Sequence, residues 1–175
     1  MREADSRPGV ARRERRPTPV KERALGLLAV RWRSREELRR RLRQAGYEAQ
    51  EVEDALHELD RTGLIDDARF AREVVRDQVN RRLAGDRAIR LALREKGIDQ
   101  DVIDVAIGDL GDEVERAAAL AERRVTRLAG LSVEAAYRRL HGLLLRRGYP
   151  PGVAREAARR AVAGAFPHSD VGDPE

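Results

Sequence analysis

Of the 36 basic residues in the chain, only Lys21 and Lys96 are lysine. The chemistry on offer is that of guanidinium, a planar fork of donors that grips phosphate or carboxylate through two parallel hydrogen bonds. Its spacing is ordered. Arg35, Arg39 and Arg43 recur every fourth residue. At 100° per residue they fall on one line of a helix beside Arg40, turned away from Leu38, Leu42 and Ala45. The equivalent helix further along carries Arg87, Arg90, Arg94 and Lys96, and a third carries Arg138, Arg139, Arg146 and Arg147. Set in a row, three such helices would offer a long basic stripe to a polyanion. The competing reading is a solvated face whose arginines pair with glutamates a turn away. A formal charge of +5 and a pI near 10.3 favour an anionic partner, nucleic acid or an acidic protein, without choosing between them.

Other chemistries find little here. The absence of cysteine removes disulfides, thiolate catalysis and Cys-based zinc sites. His57, His141 and His168 are far apart, with no metal-ligand spacing. There is no H-E-x-x-H, phosphate-cradling glycine loop or G-x-S-x-G. The Asp66–Asp67 pair is the one tempting carboxylate pair, and acids ahead of an apolar helical run read as a helix cap. No catalytic residue, cofactor or metal is expected, and so no enzyme. Trp32, Tyr47, Phe70 and Tyr149 sit on core stripes or helix ends rather than among the arginines, which predicts packing and not base stacking.

The arginines need helices to carry them, and the periodicity supplies nothing else. Charged residues make up 38% of the chain and aromatics 3%, against roughly 25% charged in an ordinary globular chain. That balance predicts helices with thin aliphatic stripes. Leu25, Leu28, Ala29 and Trp32 form one stripe; Leu38, Leu42 and Ala45 a second; Val52, Ala55, Leu56 and Leu59 a third. Ser34 and Glu37 have the spacing of a capping box, in which the serine accepts a first-turn N–H and the glutamate reaches back. Gly46, Gly97 and Gly148 stand 51 residues apart, each able to end a helix in the left-handed conformation. Leu38, Ile89 and Leu140 lie eight residues before them, and Leu42, Leu93 and Leu144 four before. The chain is thus an internal repeat. Three-helix units are predicted over 21–65, 66–111 and 112–164, with an Arg/Pro-rich disordered tail over 1–20 and an acidic one over 165–175. No apolar run reaches the ~18 residues of a membrane span and no secretory h-region is visible, so a cytoplasmic protein is expected.

In their order and spacing these residues resemble the RecX family, bacterial regulators of the RecA recombinase. The resemblance runs through Arg31-x-Arg33-Ser34-x-x-Glu37-Leu38, Leu42 and Gly46, then Gly63-Leu64-Ile65-Asp66-Asp67-x-x-Phe70-Ala71. It continues through Gly85, Ile89, Leu93 and Lys96-Gly97-Ile98 to Arg146-Arg147-Gly148-Tyr149. It implies an all-α fold of tandem three-helix motifs in an elongated, curved arrangement. It also implies a protein that lies in the groove of the RecA filament and inhibits strand exchange, ATP hydrolysis and coprotease activity. Arg31 and Arg33 then join the arginines of the three basic helices and Lys96 as residues expected to contact RecA or DNA. A monomer is expected, with the RecA filament as partner and single- or double-stranded DNA as a further one. A direct DNA binder using its units like helix-turn-helix modules is the alternative. The sequence departs from its relatives at Val74 and Gln78, where an aromatic and a basic residue are common.

Overall fold

The computed structural model describes residues 18–166. The expected tails lie almost wholly outside the described residues, as does His168. Within them the chain is helical, without a strand. The first triplet is α1 (Val20–Val30), α2 (Arg35–Gln44) and α3 (Ala49–Arg61); the second is α4 (Asp67–Asn80), α5 (Asp86–Glu95) and α6 (Gln100–Gly108). The third is α7 (Glu113–Val125), α8 (Val133–Arg146) and α9 (Pro151–Ala165), with a 3-10 turn at Thr126–Leu128 continuing α7. Helices pack mainly within their own triplet. Each triplet closes on a separate aliphatic core: Leu38, Leu42, Val52, Leu56 and Leu59; Phe70, Val75, Ile89, Leu93 and Ile103; Leu120, Leu140, Leu144, Tyr149 and Val162. The result is an array of small domains in the manner of repeat proteins, where each unit touches only its neighbours.

Local signals explain most helix ends. Asp66 and Ser132 each accept the N–H three residues on, from Arg69 and Ala135, as N-caps do. Pro151 opens α9 at a position where its missing N–H costs nothing. Two expectations are corrected. The buried face of α1 is Val20, Ala24, Leu27 and Leu28, while Leu25 is exposed and α1 ends before Trp32, which is 42% exposed. The stretch from Ala24 to Val30 is apolar on nearly every side, so two stripes of equal spacing competed. The capping box is half made: Ser34 accepts from the Glu37 N–H at 3.0 Å, but the Glu37 carboxylate turns to Arg31, Arg33 and Arg41. Charged partners outbid a neutral amide for a carboxylate.

Successive units meet through helix ends, and the two junctions are built alike. At the first, the Arg35 N–H that opens α2 donates to Asp67 of α4 at 2.9 Å, and the Ser34 hydroxyl donates to the Lys96 carbonyl at 2.5 Å. At the second, the Asp86 N–H that opens α5 donates to Glu113 of α7 at 2.7 Å, and the Gly85 N–H donates to the Arg147 carbonyl at 2.8 Å. In both, the start of a unit's middle helix docks on the glycine turn that ends the next unit's middle helix. Gly97 and Gly148 have φ of +71° and +89°, and a Cβ on either would strike the preceding unit, at Glu36 or Ala88. Gly46 has φ +92° but nothing within 4 Å of where its Cβ would stand among the described residues.

Candidate nucleic-acid interface

The structure places the fourteen sequence-selected basic residues in three different electrostatic settings. In the first unit most are engaged by carboxylates. Arg33 is 6% exposed, donates to the Leu27 carbonyl at 3.1 Å and pairs with Glu37 at 2.5 Å, while Arg31 pairs with the same carboxylate. Burial pushes the Glu37 carboxyl up, but hydrogen bonds and charge from Arg31 and Arg33 outweigh burial and hold it below its ordinary range. Arg39 bridges Glu53 at 2.5 Å and Glu36, and Arg35 reaches Glu53 at 3.5 Å and Asp60 at 3.3 Å. The Arg39 hydrogen bond holds the Glu53 carboxyl below its usual value. Arg43 donates to the Tyr47 carbonyl at 2.8 Å, and Arg40 is exposed with no carboxylate partner among the described residues.

The second unit is intermediate. Arg90 pairs with Asp104, whose carboxyl is lowered by Gln100 and Arg90 together. Arg94 donates to the Gln100 side-chain oxygen at 2.9 Å. Lys96 lies 5.7 Å from the Phe70 ring centroid, a cation over an aromatic face. Arg87 is exposed.

The third unit differs. Arg138, Arg139 and Arg146 of α8 face Arg124 of α7 and Arg127 of the 3-10 turn across an open cleft of about 570 Å³, floored by Leu128, Leu140 and Leu143. Among the described residues none of these five guanidiniums has a carboxylate within 4.0 Å. Arg146 lies 3.2 Å from where a Cβ on Gly142 would stand, so the glycine gives that guanidinium room along α8. Arg147 stands apart from the others, its carbonyl committed to the second junction. Sequence counts agree: residues 112–164 hold eleven arginines against six carboxylates, whereas 21–65 hold ten basic residues against nine acids and 66–111 nine against ten. Arg124 and Arg127 were not among the residues selected from sequence. Their own one-turn spacing was a signal, but only the packing of α7 on α8 brings them opposite Arg138 and Arg139.

Carboxylates outside this cleft have structural duties. Asp66 caps α4, and Asp67 binds the Arg35 N–H of the neighbouring unit. Burial raises the Asp67 carboxyl despite that bond, and burial likewise raises Glu113 at the second junction. No group of three or more His, Asp or Glu that could hold a metal occurs among the described residues. Nor is any described helix long and apolar enough to cross a membrane.

Fold and surface together define a tandem three-helix repeat protein with an arginine-rich exterior. Comparisons give that class a family. The descriptions "RecX, first three-helix domain", "second" and "third" match residues 21–59, 66–107 and 111–158. The chain is 39% identical to the regulatory protein RecX of Amycolatopsis mediterranei (strain U-32), covering 81% of this chain and 82% of the relative. It is 35% identical to that of Corynebacterium efficiens, over 85% and 74%. The fold matches the crystal structure of RecX from Lactobacillus salivarius with a TM-score of 0.72 at 25% identity, covering 81% of this chain and 94% of that one. The chain belongs to the RecX family of regulatory proteins.

Proposed function

We propose that this protein is a non-catalytic, monomeric, cytoplasmic regulator that binds RecA nucleoprotein filaments and inhibits RecA recombinase, ATPase and coprotease activities. The observation that carries the reading is the match of all three RecX domains in order along one chain. The architecture suits the job: an elongated repeat offers several weak contacts to a repeating lattice, and linked contacts bind far more tightly than their separate strengths suggest. The test is ATP hydrolysis by RecA of the same organism on single-stranded DNA, with this protein titrated well below RecA and DNA in excess. Strong inhibition at substoichiometric amounts is expected. Inhibition that appears only when the DNA itself is saturated would overturn the reading in favour of simple competition for DNA. That second reading, direct DNA binding by helix-turn-helix-like units, draws support from the carboxylate-free arginines of the third unit.

A further inference from the structure

We propose that the cleft between α7, the 3-10 turn and α8 is a binding site for the phosphodiester backbone of a nucleic acid, and that direct nucleic-acid contact is concentrated in the third unit. The inference deepens the function proposed above by locating its nucleic-acid contact. Five arginines line the cleft, Arg124, Arg127, Arg138, Arg139 and Arg146, and among the described residues none of their guanidiniums has a carboxylate within 4.0 Å. An array of like charges held by two packed helices is unfavourable until an anion arrives, so it is stabilised by one. The equivalent helices of the other units have largely met their anions already, in Glu36, Glu37, Glu53, Asp60 and Asp104. A phosphate offered to α2 must displace a carboxylate from Arg39; one offered to α8 displaces only water.

The chemistry of the walls selects the backbone over the bases. Every polar side chain lining the cleft is arginine and none is aromatic. The nearby Tyr137 and His141 rings stack on each other, 5.7 Å between centroids and 10° from parallel. Base stacking therefore has no platform, and recognition by fork-shaped donors suits phosphate oxygens spaced along a strand. Binding should be indifferent to base sequence and steep in salt, since each neutralised phosphate releases counterions.

The experiment measures binding of fluorescently labelled 30-nucleotide dT and mixed-sequence DNA by anisotropy, across a salt series and without RecA. R127Q/R139Q removes two cleft charges; R23Q/R72Q removes two exposed helical charges from the other units, outside the candidate residues, and changes net charge equally. Glutamine has nearly the helix propensity of arginine, and circular dichroism checks the fold. The cleft pair should flatten the log–log salt slope by about 1.4, or roughly 0.7 per lost contact on a single strand, and weaken binding on the order of tenfold at 0.1 M salt. The control pair should leave both within about twofold, and wild type should bind the two DNAs alike. If R127Q/R139Q unfolds, R138Q/R146Q carries the same expectation. Equal losses in both variants would show diffuse charge and overturn the site. So would a cleft variant that binds DNA normally but no longer binds DNA-free RecA, which would make the cleft a receptor for acidic protein. Because RecA is absent from the DNA measurement, failure of the cleft and failure of RecA inhibition are separate results.

Discussion

At the scale of single residues, the repeated glycine has two roles that one sequence pattern conceals. All three copies occupy positive φ, where a Cβ costs roughly 1–2 kcal/mol. Only Gly97 and Gly148 are also overlain by the preceding unit; a Cβ on Gly148 would stand 2.6 Å from the Ala88 Cβ and N. Overpacking adds typically 1–3 kcal/mol. Gly46→Ala should therefore cost about 1 kcal/mol, and Gly97→Ala and Gly148→Ala about 2–4 kcal/mol each, read from urea denaturation. Equal costs at all three positions would contradict the junction's role. Glu37 is the second such residue. It is 5% exposed and answers three guanidiniums, of which Arg33 is buried with it. Glu37→Gln strands a buried charge and should destabilise the protein by about 3 kcal/mol at neutral pH. Its carboxyl lies below the ordinary range in the folded state. Between the folded and unfolded pKa values the unfolded chain holds more protons, so this stability is present at neutral pH and lost as pH falls through the folded value. The difference between wild type and E37Q should shrink in acid; a constant difference from neutral to acid pH would show that charge is not its source.

At the scale of elements, the middle helices act as plug and socket: α2 is a plug, α8 a socket, and α5 both. The first residue and cap of α2 and of α5 dock on the following unit, and the terminal glycine turns of α5 and α8 receive the preceding one. The third unit breaks the pattern. The position equivalent to Arg35 and Asp86 is Tyr137, which lies inside α8 because that helix begins at Val133, capped by Ser132. An additional helical turn occupies the end that docks in the other two units. Leu83 marks the effort spent on the second junction: it holds φ +51°, a conformation unfavourable for a branched side chain. It does so with its side chain against the third core and its carbonyl accepting from the Tyr149 hydroxyl at 3.3 Å.

At the scale of the whole molecule, three small cores joined by end contacts should not unfold as a single block. In a repeat array stability is a sum of unit and junction contributions, and local openings follow the weaker ones. Gly148→Ala, which disturbs only the second junction, should speed native-state hydrogen exchange in α8 and α9 while amides of α2 and α3 keep their wild-type protection. Uniform acceleration across all units would mean one cooperative core. Charge is also distributed at this scale. Ion pairs engage most of the basic residues selected in the first unit and leave the five cleft arginines of the third without a carboxylate within 4.0 Å among the described residues, so the third unit is the most basic part of the molecule rather than one stretch of a uniform stripe.

The sequence by itself determined the helices, their grouping and the three aliphatic cores, because periodicity, caps and glycine stops act over a few residues. The leucines and isoleucines placed on the stripes of α2, α3 and α5 are all buried; the stripe was misread in α1, where too many sides are apolar, and at Ala45, which is an exposed C-cap beyond the end of α2. The 51-residue glycine spacing was legible, but its cause was not. That Glu36 and Ala88 cover Gly97 and Gly148 while Gly46 stands open depends on contacts between units. So does the division of labour among arginines of identical local pattern. A guanidinium's partner is set by which carboxylate arrives from another helix: Glu53 from α3 reaches Arg39, Asp104 from α6 reaches Arg90, and Arg124 rather than an acid faces Arg138 and Arg139. Helical spacing decides which way a side chain points; only tertiary packing decides what charge it meets, because Coulomb energy depends on distance in space and not on separation along the chain.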